Sequence, residues 1–241
     1  TDQGGNDGQV SISGNTLTVN PTNALVEGTT YAIQIGVGAL TDIAGNTISP
    51  INDNTTYNFT TVPANTPPVF SSLDGTPTFT EDGSAVVLDS NVTVADVELD
   101  ALNGSNGDYT GASITIARNG GASSQDVFTN TGLLGSLTES QPFTYNSTTI
   151  GTVTTNTGGV LKLTFNASAT SAIVDAVLQS ISYSNGSDDP PANVTLNWTF
   201  HDGEANSTGT NQSTVNITAV NDAPTLSANT STPMFTEDGT A

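Results

Sequence analysis

The sequence predicts an all-β protein built from tandem β-sandwiches, and three observations carry this prediction. Apolar and polar residues alternate with period two through most of the chain, as in strands that bury one face. Turn-forming pairs such as GN, DG, NG and GG separate the alternating runs at short intervals, which favours antiparallel sandwiches over βαβ units. The third observation is a long-range repeat: PTFTEDGSA at 77–85 returns as PMFTEDGTA at 233–241.

The repeat predicts the domain organisation. Asn65 and Pro68 of ANTPPVF stand opposite Asn221 and Pro224 of VNDAPTL, 156 positions later and in register with the returning phrase. A fixed period of this kind indicates tandem structural units. We therefore expect four segments: a separate unit over 1–62, a linker over 63–68, one full repeat over 67–222 and the first strand of a following repeat over 223–241.

Composition excludes several classes of function. The 241 residues include 23 acidic and 2 basic ones, a formal net charge of −21, so the clustered Lys and Arg of a nucleic-acid-binding protein are missing. There is no cysteine, and the single histidine, His201, has no arranged nucleophile, so we expect no enzyme. Carboxylates brought close together need a counterion, and without thiolates or a second imidazole this favours calcium held by oxygen ligands.

The chain is also expected to lie outside the cell. No stretch approaches the roughly 18 apolar residues of a membrane span, so no such span is predicted. The sequence begins without an initiating methionine or a signal peptide, and we interpret it as a segment of a longer, secreted chain.

Residues 1–62 are predicted to form short strands joined by loops. The strand candidates are GQVSISGNTLTVN, TTYAIQIGVGAL and NTTYNFTTV. In YAIQIGV the apolar residues at 31, 33, 35 and 37 share one face. Asp42, in TDIAGN, is interpreted as a turn former because an aspartate before Ala-Gly-Asn is typical of an Asx turn.

The same segment resembles the second half of a bacterial Ig-like domain. The resemblance depends on a pattern of spaced residues. A leucine, a glycine and a tyrosine are followed by Asp-x-Ala-Gly-Asn and a closing Phe-x-Thr. They fall on Leu25, Gly28, Tyr31, Asp42, Gly45, Asn46 and Phe59. The resemblance implies that the first strands of that domain precede Thr1 or are supplied by another segment.

The long repeat alternates most regularly near its end. Leu161, Leu163 and Phe165 share one face of GVLKLTF, and Trp198 is in phase with the apolar residues of NVTLNWTFH, so we interpret it as core. TSAIVDAVLQS, 170–180, has helical spacing and predicts one short helix at an end of the sandwich. Between 103 and 135 we expect one strand, ASITIAR, among long loops.

Five motifs stand in the repeat: FTEDG, ADVELD, ISYSNGSDDP, WTFHDGEA and TVNITAVNDAP. Together they resemble the cadherin-like repeats of large bacterial surface proteins. The resemblance implies a calcium (Ca2+) half-site at each end of the sandwich. The N-terminal half-site would use Asp96 and Glu98, placed on one side of a strand, with Asp202. The C-terminal half-site would use Glu81, Asp188 or Asp189, and Asn221 with Asp222.

One departure weakens the N-terminal half-site. Thr66 stands where the exit of the repeat has Asp222, so one carboxylate is missing there. The resemblance implies a structural stalk segment of a multidomain surface adhesin, stiffened by calcium between neighbouring domains of the chain. It does not identify a surface or glycan ligand.

Two other functions stay open. In the first, the chain is a subunit of a fibre or sheath in which copies complete one another by strand addition. In the second, it is a carbohydrate-binding accessory module, which would present exposed aromatic residues on a sandwich face.

Overall fold

A computed structural model describes residues 10–223. The chain divides into two compact units, one ending at Asn65 and one beginning at Thr66. The structure confirms the all-β class, since strands in several sheets are accompanied by only two short helices in the described part. None of the helices within residues 10–223 is long and apolar enough to cross a membrane. The predicted strand over 223–241 lies outside the described residues, apart from its first residue.

The first unit contains two small antiparallel sheets. Strands β1 (Val10–Ser13) and β2 (Thr16–Val19) form one hairpin, and β3 (Thr30–Ala32) pairs with β4 (Asn58–Thr60). Gly14, at φ 58°, makes the tight turn between β1 and β2, because this backbone conformation costs glycine little. The alternating run YAIQIGV is shorter as a strand than expected. It continues beyond β3 only as an isolated bridge between residues 35 and 51.

The first unit has no buried core in the part that the structure describes. None of residues 10–65 is buried, and several large apolar side chains are mostly exposed. These side chains are Ile12, Val26, Val37, Ile43 and Val62. The rings of Tyr31 and Phe59 stack across β3 and β4, with their centroids 5.9 Å apart. Burial of apolar surface therefore contributes little stability among residues 10–65.

Asp42 acts as the turn former that the sequence predicts. Its Oδ1 accepts hydrogen bonds from the backbone N–H groups of Ala44 (2.9 Å) and Asn46 (2.8 Å). The side-chain amide of Asn46 donates to Oδ2 at 2.8 Å. These bonds lower the pKa of Asp42, with the Asn46 side chain as the largest cause.

The second unit holds the remaining elements. Its strands are β5 (Val69–Ser71), β6 (Thr78–Thr80), β7 (Val86–Val87), β8 (Thr93–Ala95), β9 (Ser113–Arg118), β10 (Asp126–Asn130), β11 (Pro142–Tyr145), β12 (Thr148–Thr157), β13 (Val160–Phe165), β14 (Ile181–Asn185), β15 (Asn193–His201) and β16 (Gln212–Thr218). Its helices are α1 (Val97–Ser105) and α2 (Ser171–Leu178).

These strands form a sandwich. One sheet has seven strands in the order β11-β12-β13-β9-β15-β16-β6, and the other has β10-β14-β7, with the pair β5-β8 beside them. All neighbours are antiparallel except β16 and β6, which run parallel. Phe79 of the large sheet meets Tyr183 of the small one edge to face at 6.4 Å, so the two sheets pack directly.

The residues buried in the core of the second unit are those that the alternating apolar pattern predicts. Along β13 and β15 the in-phase apolar residues are all buried, and Trp198 is only 2% exposed. Its indole N–H donates to the hydroxyl of Ser213 at 2.9 Å, which satisfies the polar end of a buried ring. Helix α2 confirms the helix expected over 170–180, and Val174, Val177 and Leu178 bury its apolar face.

Two elements of the second unit differ from the prediction. The region between 103 and 135 holds a second strand, β10, which pairs with β14 along its whole length. A second helix, α1, follows β8 and is irregular, because Leu102, Asn103 and Gly104 have non-helical backbone angles. No residue of α1 is buried, so the apolar periodicity that identifies α2 is missing from it.

Candidate metal site

Asp96 stands where β8 gives way to α1. The expectation that Asp96 and Glu98 project from one side of a strand is wrong, since Asp96 is the N-cap of α1 and Glu98 lies in its first turn. The Oδ1 atom of Asp96 accepts the backbone N–H groups of Glu98 (3.1 Å) and Leu99 (2.8 Å). These N–H groups have no partner inside a helix, so an aspartate at this position starts the helix.

The other carboxylate oxygen of Asp96 is the most unusual polar atom of the described residues. Asp96 is 2% exposed, and its Oδ2 is buried with no hydrogen-bond partner. Burial raises the pKa of the Asp96 carboxyl above its usual value of 3.8, and the negative charges of Asp202 and Glu98 raise it further. The buried Oδ2 atom therefore has no donor, and the Asp96 carboxyl lies within range of two like charges.

Asp202, the third acid of the predicted N-terminal half-site, lies far from Asp96 in the sequence. It follows β15 directly and is 8% exposed. Its Oδ1 accepts the backbone N–H groups of Glu204 (2.6 Å) and Ala205 (2.7 Å), which fixes the turn after the strand. The turn therefore holds the Asp202 carboxylate close enough to Asp96 for the charges to interact.

Glu98 already has a partner in this structure. The backbone N–H and the hydroxyl of Thr66 donate to its two carboxylate oxygens at 3.1 and 2.9 Å. Thr66 is the residue that stands where the exit of the repeat carries Asp222. At the entrance of the repeat, a neutral hydrogen-bond donor to Glu98 therefore takes the place of the acid that stands at the exit.

A further acid, Asp100, supports this region and was not predicted from the sequence. Its Oδ2 accepts the backbone N–H of Asp96 at 3.1 Å, and its Oδ1 accepts the hydroxyls of Tyr109 (2.7 Å) and Ser171 (2.6 Å). Asp100 thus connects α1 to the first residue of α2. The signal in the sequence is its position four residues after an N-cap, but its distant partners depend on the tertiary fold.

The residues predicted for the C-terminal half-site are less closely assembled. Glu81 is 5% exposed, and its Oε2 accepts the backbone N–H of Val220 at 2.7 Å, one residue before Asn221. Asn221 and Asp222 are exposed, as are Asp188 and Asp189 in the loop between β14 and β15. Within residues 10–223, no hydrogen bond joins these two loop acids to Glu81 or to the exit.

The acids do not form a ready metal cage. Across residues 10–223, no group of three or more His, Cys, Asp or Glu side chains is positioned to hold a metal ion. Calcium takes six to eight oxygen ligands, which include backbone carbonyls, amide oxygens and water as well as carboxylates. The oxygen-rich surroundings of Asp96 fit calcium in ligand type, and side-chain movement would have to complete the site.

Another buried acid forms the only ion pair in residues 10–223. Arg118 of β9 donates to both oxygens of Asp126, at 2.8 and 2.6 Å, and the Asp126 side chain is fully buried. The hydroxyl of Tyr183 and the amide of Asn185 also donate to it, at 2.6 and 3.0 Å. This satisfied network is structural and has no open position for a ligand.

The comparisons with known proteins give a match within the first unit. The fold defines an all-β chain with strands in several sheets and two short helices in the described part. Residues 1–61 match the family model of the bacterial Ig-like domain, a module type that occurs in bacterial surface proteins. The match supports the Ig-like resemblance of the N-terminal segment. No curated protein and no solved structure matches the chain. The cadherin-like resemblance of 67–222 stays a prediction.

Proposed function

We propose that this chain is a stalk segment of a secreted, multidomain bacterial surface adhesin, and that calcium stiffens it at the ends of its domains. The Ig-like match at 1–61 and the sandwich of the second unit support a surface module. The observation that carries the calcium part is the buried Oδ2 of Asp96, which has no hydrogen-bond partner in a carboxyl group whose pKa the charges of Asp202 and Glu98 raise. A divalent cation would remove this repulsion and satisfy the oxygen.

The expected affinity is low. Extracellular calcium modules bind with dissociation constants of about 10⁻⁴ to 10⁻³ M. A ligand at ten times its dissociation constant stabilises the folded state by about 1.4 kcal/mol. For a unit of this size, that corresponds to a rise in melting temperature of about 3–6 °C. The effect is large enough to measure and small enough for chelation to reverse it.

The test is thermal unfolding of the full chain in excess calcium and in chelator, at constant ionic strength. Calcium should raise the melting temperature of the wild type. The variant Asp96→Asn should show no such rise, yet in chelator it should melt at or above the wild-type temperature, because asparagine still caps α1 and carries no charge. Asp74→Asn, an exposed acid remote from the site in sequence, is the control and should respond to calcium as the wild type does.

Thr66→Asp makes the test sharper. The substitution restores the acid that the exit of the repeat carries, and it removes the donor that Thr66 gives to Glu98. In chelator the variant should melt below the wild type, because two carboxylates then face each other. In calcium it should gain more than the wild type. Equal melting curves with and without calcium, in both wild type and Thr66→Asp, would refute the metal-stiffened stalk.

One observation favours a second candidate function, assembly by strand addition. The described residues of the first unit expose apolar side chains and bury none, so strands from another molecule could cover them. Sedimentation velocity over a hundredfold range of concentration tests this candidate. Growth of the sedimentation coefficient with concentration in chelator would support assembly, and a constant value would reject it.

A further inference from the structure

The outer face of the seven-stranded sheet carries a groove of about 370 Å³. Three adjacent strands, β13, β9 and β15, form its floor, and cross-strand pairing arranges the lining side chains in two rows. The first row is Lys162, Thr115 and Thr199, and the second is Thr164, Ser113 and His201. Gly203 and Asn206, from the loop after β15, border one side. The groove lies wholly within the second unit.

The charge of the groove is opposite to that of the chain. Lys162 is the only lysine of the sequence and His201 its only histidine, and both line the groove, whereas no acidic residue among 10–223 does. The other cation, Arg118, is neutralised by Asp126. Among the described residues, the Lys162 ammonium has no ion-pair partner. An anion is therefore attracted here and repelled over the rest of this acidic surface.

The groove also offers free hydrogen-bonding groups. The hydroxyls of Ser113, Thr115 and Thr199 make no side-chain hydrogen bond within residues 10–223, whereas that of Thr164 already bonds Thr154 at 2.8 Å. His201 accepts the backbone N–H of Gly203 on Nδ1 at 3.0 Å, so the neutral ring carries its proton on Nε2. No Phe, Tyr, Trp or large aliphatic side chain lines the groove, which disfavours an apolar ligand. Recognition here would therefore rest on charge and hydrogen bonds, and not on the aromatic stacking expected of a carbohydrate-binding accessory module.

We propose that this groove binds a carboxylate-bearing sugar, with the Lys162 ammonium on the carboxylate and the hydroxyls of Thr115, Ser113 and Thr199 on the ring hydroxyls. Neighbouring strands lie about 4.8 Å apart and alternate residues about 7 Å apart, so the lining groups span one or two sugar units. The volume falls in the range of small-molecule sites, about 300–1,000 Å³. The proposal does not depend on calcium and adds a binding activity to the stalk.

The test is a titration of the full isotope-labelled chain, followed by amide NMR shifts, in chelator so that calcium cannot bridge ligand and protein. Three probes are compared at equal concentration and ionic strength: glucuronate, glucose and acetate. Glucuronate should shift the amides of the two rows, with a dissociation constant of about 1 mM for a ligand of this size. Glucose lacks the charge and acetate lacks the hydroxyls, so each should bind at least about tenfold more weakly.

Matched variants locate the binding. Lys162→Met keeps the aliphatic stem and removes the charge, and Thr115→Val keeps the shape and removes one hydroxyl. The first should weaken glucuronate binding at least about tenfold, and the second by about threefold to tenfold. Thr218→Val, at an exposed threonine of β16 outside the groove, should bind as the wild type does. Unchanged melting temperatures would show that the variants are folded.

Several results would overturn the proposal. One is the absence of groove shifts at tens of millimolar glucuronate. Another is equal binding of acetate and glucuronate, which would mean that the groove recognises a bare carboxylate. Binding of glucose as strong as that of glucuronate would remove the role of the charge, and unchanged binding by folded Lys162→Met would place the site elsewhere.

Discussion

At the scale of single residues, Asp89 shows how much one carboxylate can organise. Its Oδ2 accepts the backbone N–H groups of Asp74 (2.9 Å) and Gly75 (2.7 Å), and its Oδ1 accepts those of Asn91 (3.0 Å) and Val92 (2.8 Å). Asp89 is 2% exposed, so these four bonds replace water almost completely. A Cβ atom on Gly75 would overlap the Leu88 carbonyl, which explains glycine at this close approach.

Replacing Asp89 by asparagine is expected to cost at least about 2 kcal/mol of unfolding free energy. The amide nitrogen would face two backbone N–H donors, and both would be left buried without an acceptor. Urea unfolding of the wild type and Asp89→Asn measures the loss. Asp74→Asn, exposed in the same turn, is the control and should stay within about 0.5 kcal/mol of the wild type. Similar losses in both variants would contradict this role of Asp89.

The environment of Asp96 predicts that its contribution to folding stability changes with pH in the opposite direction to that of most paired carboxylates. Its pKa is raised in the folded state, so the folded chain binds this proton more tightly than the unfolded chain. The stability that protonation contributes is present below the usual value of 3.8 and is lost as the pH rises through the raised pKa. In chelator, the advantage of Asp96→Asn over the wild type should therefore be greatest near neutral pH.

Melting curves of both proteins from about pH 7 down to 3.8, the usual value of the carboxyl pKa, provide the measurement, since a raised pKa in the folded state changes the difference in stability only above that value. The gap between their melting temperatures should narrow as the pH falls. A difference in melting temperature that stays constant with pH would show that the pKa of Asp96 is not raised in the folded state. Acids elsewhere in the chain affect both proteins alike, so the difference isolates Asp96.

At the scale of elements, the buried ion pair joins strands of both sheets. Arg118 lies on β9 of the large sheet, and Asp126 and Tyr183 lie on β10 and β14 of the small one. A buried pair adds little net stability by comparison with apolar residues, but breaking it leaves an uncompensated charge. The network therefore fixes how the two sheets meet.

Arg118→Met is expected to cost about 3–5 kcal/mol, because the fully buried Asp126 carboxylate would lose its counterion. The double variant Arg118→Met with Asp126→Asn should lose less, since the amide oxygen can still accept from Tyr183. Chemical unfolding gives both values. Lys162→Met removes the other basic side chain from an open groove and should change stability by less than about 0.5 kcal/mol. A double variant less stable than Arg118→Met would contradict this reasoning.

At the scale of the whole molecule, the two units differ in how they are stabilised. The second unit has one continuous core in which Trp198, Phe200 and Tyr109 are almost fully buried. The described residues of the first unit have backbone hydrogen bonds and side-chain turns but no buried side chain. Local opening is therefore expected to be much easier in the first unit.

Amide hydrogen exchange should resolve this difference. At low protein concentration, strand amides within residues 10–65 should exchange at least about a hundredfold faster than those of β9, β13 and β15. If strand addition occurs, protection in the first unit should increase with concentration while the second unit stays unchanged. Equal protection of the two units at low concentration would contradict the expected difference.

The sequence by itself determined the all-β class, the alternating core of β13 and β15, the helix α2 and the Asp42 turn. Each of these depends on periodicity or on bonds between residues close in the chain, which a sequence displays directly. The resemblance to cadherin-like repeats also selected Asp96, Glu98 and Asp202 as a set, and in the structure the charges of Asp202 and Glu98 raise the pKa of Asp96.

Tertiary structure alone decided the rest. Helix α1 buries no residue, so no periodic pattern reveals it; Asp96 caps its start locally, and the bonds of Asp100 to distant hydroxyls depend on the tertiary fold. Asp126 and Thr66 form hydrogen bonds with residues far from them in the chain. Lys162 and His201 are also distant in the sequence but line one groove. Such contacts depend on strand pairing and register, which are fixed only when the whole sandwich buries its core.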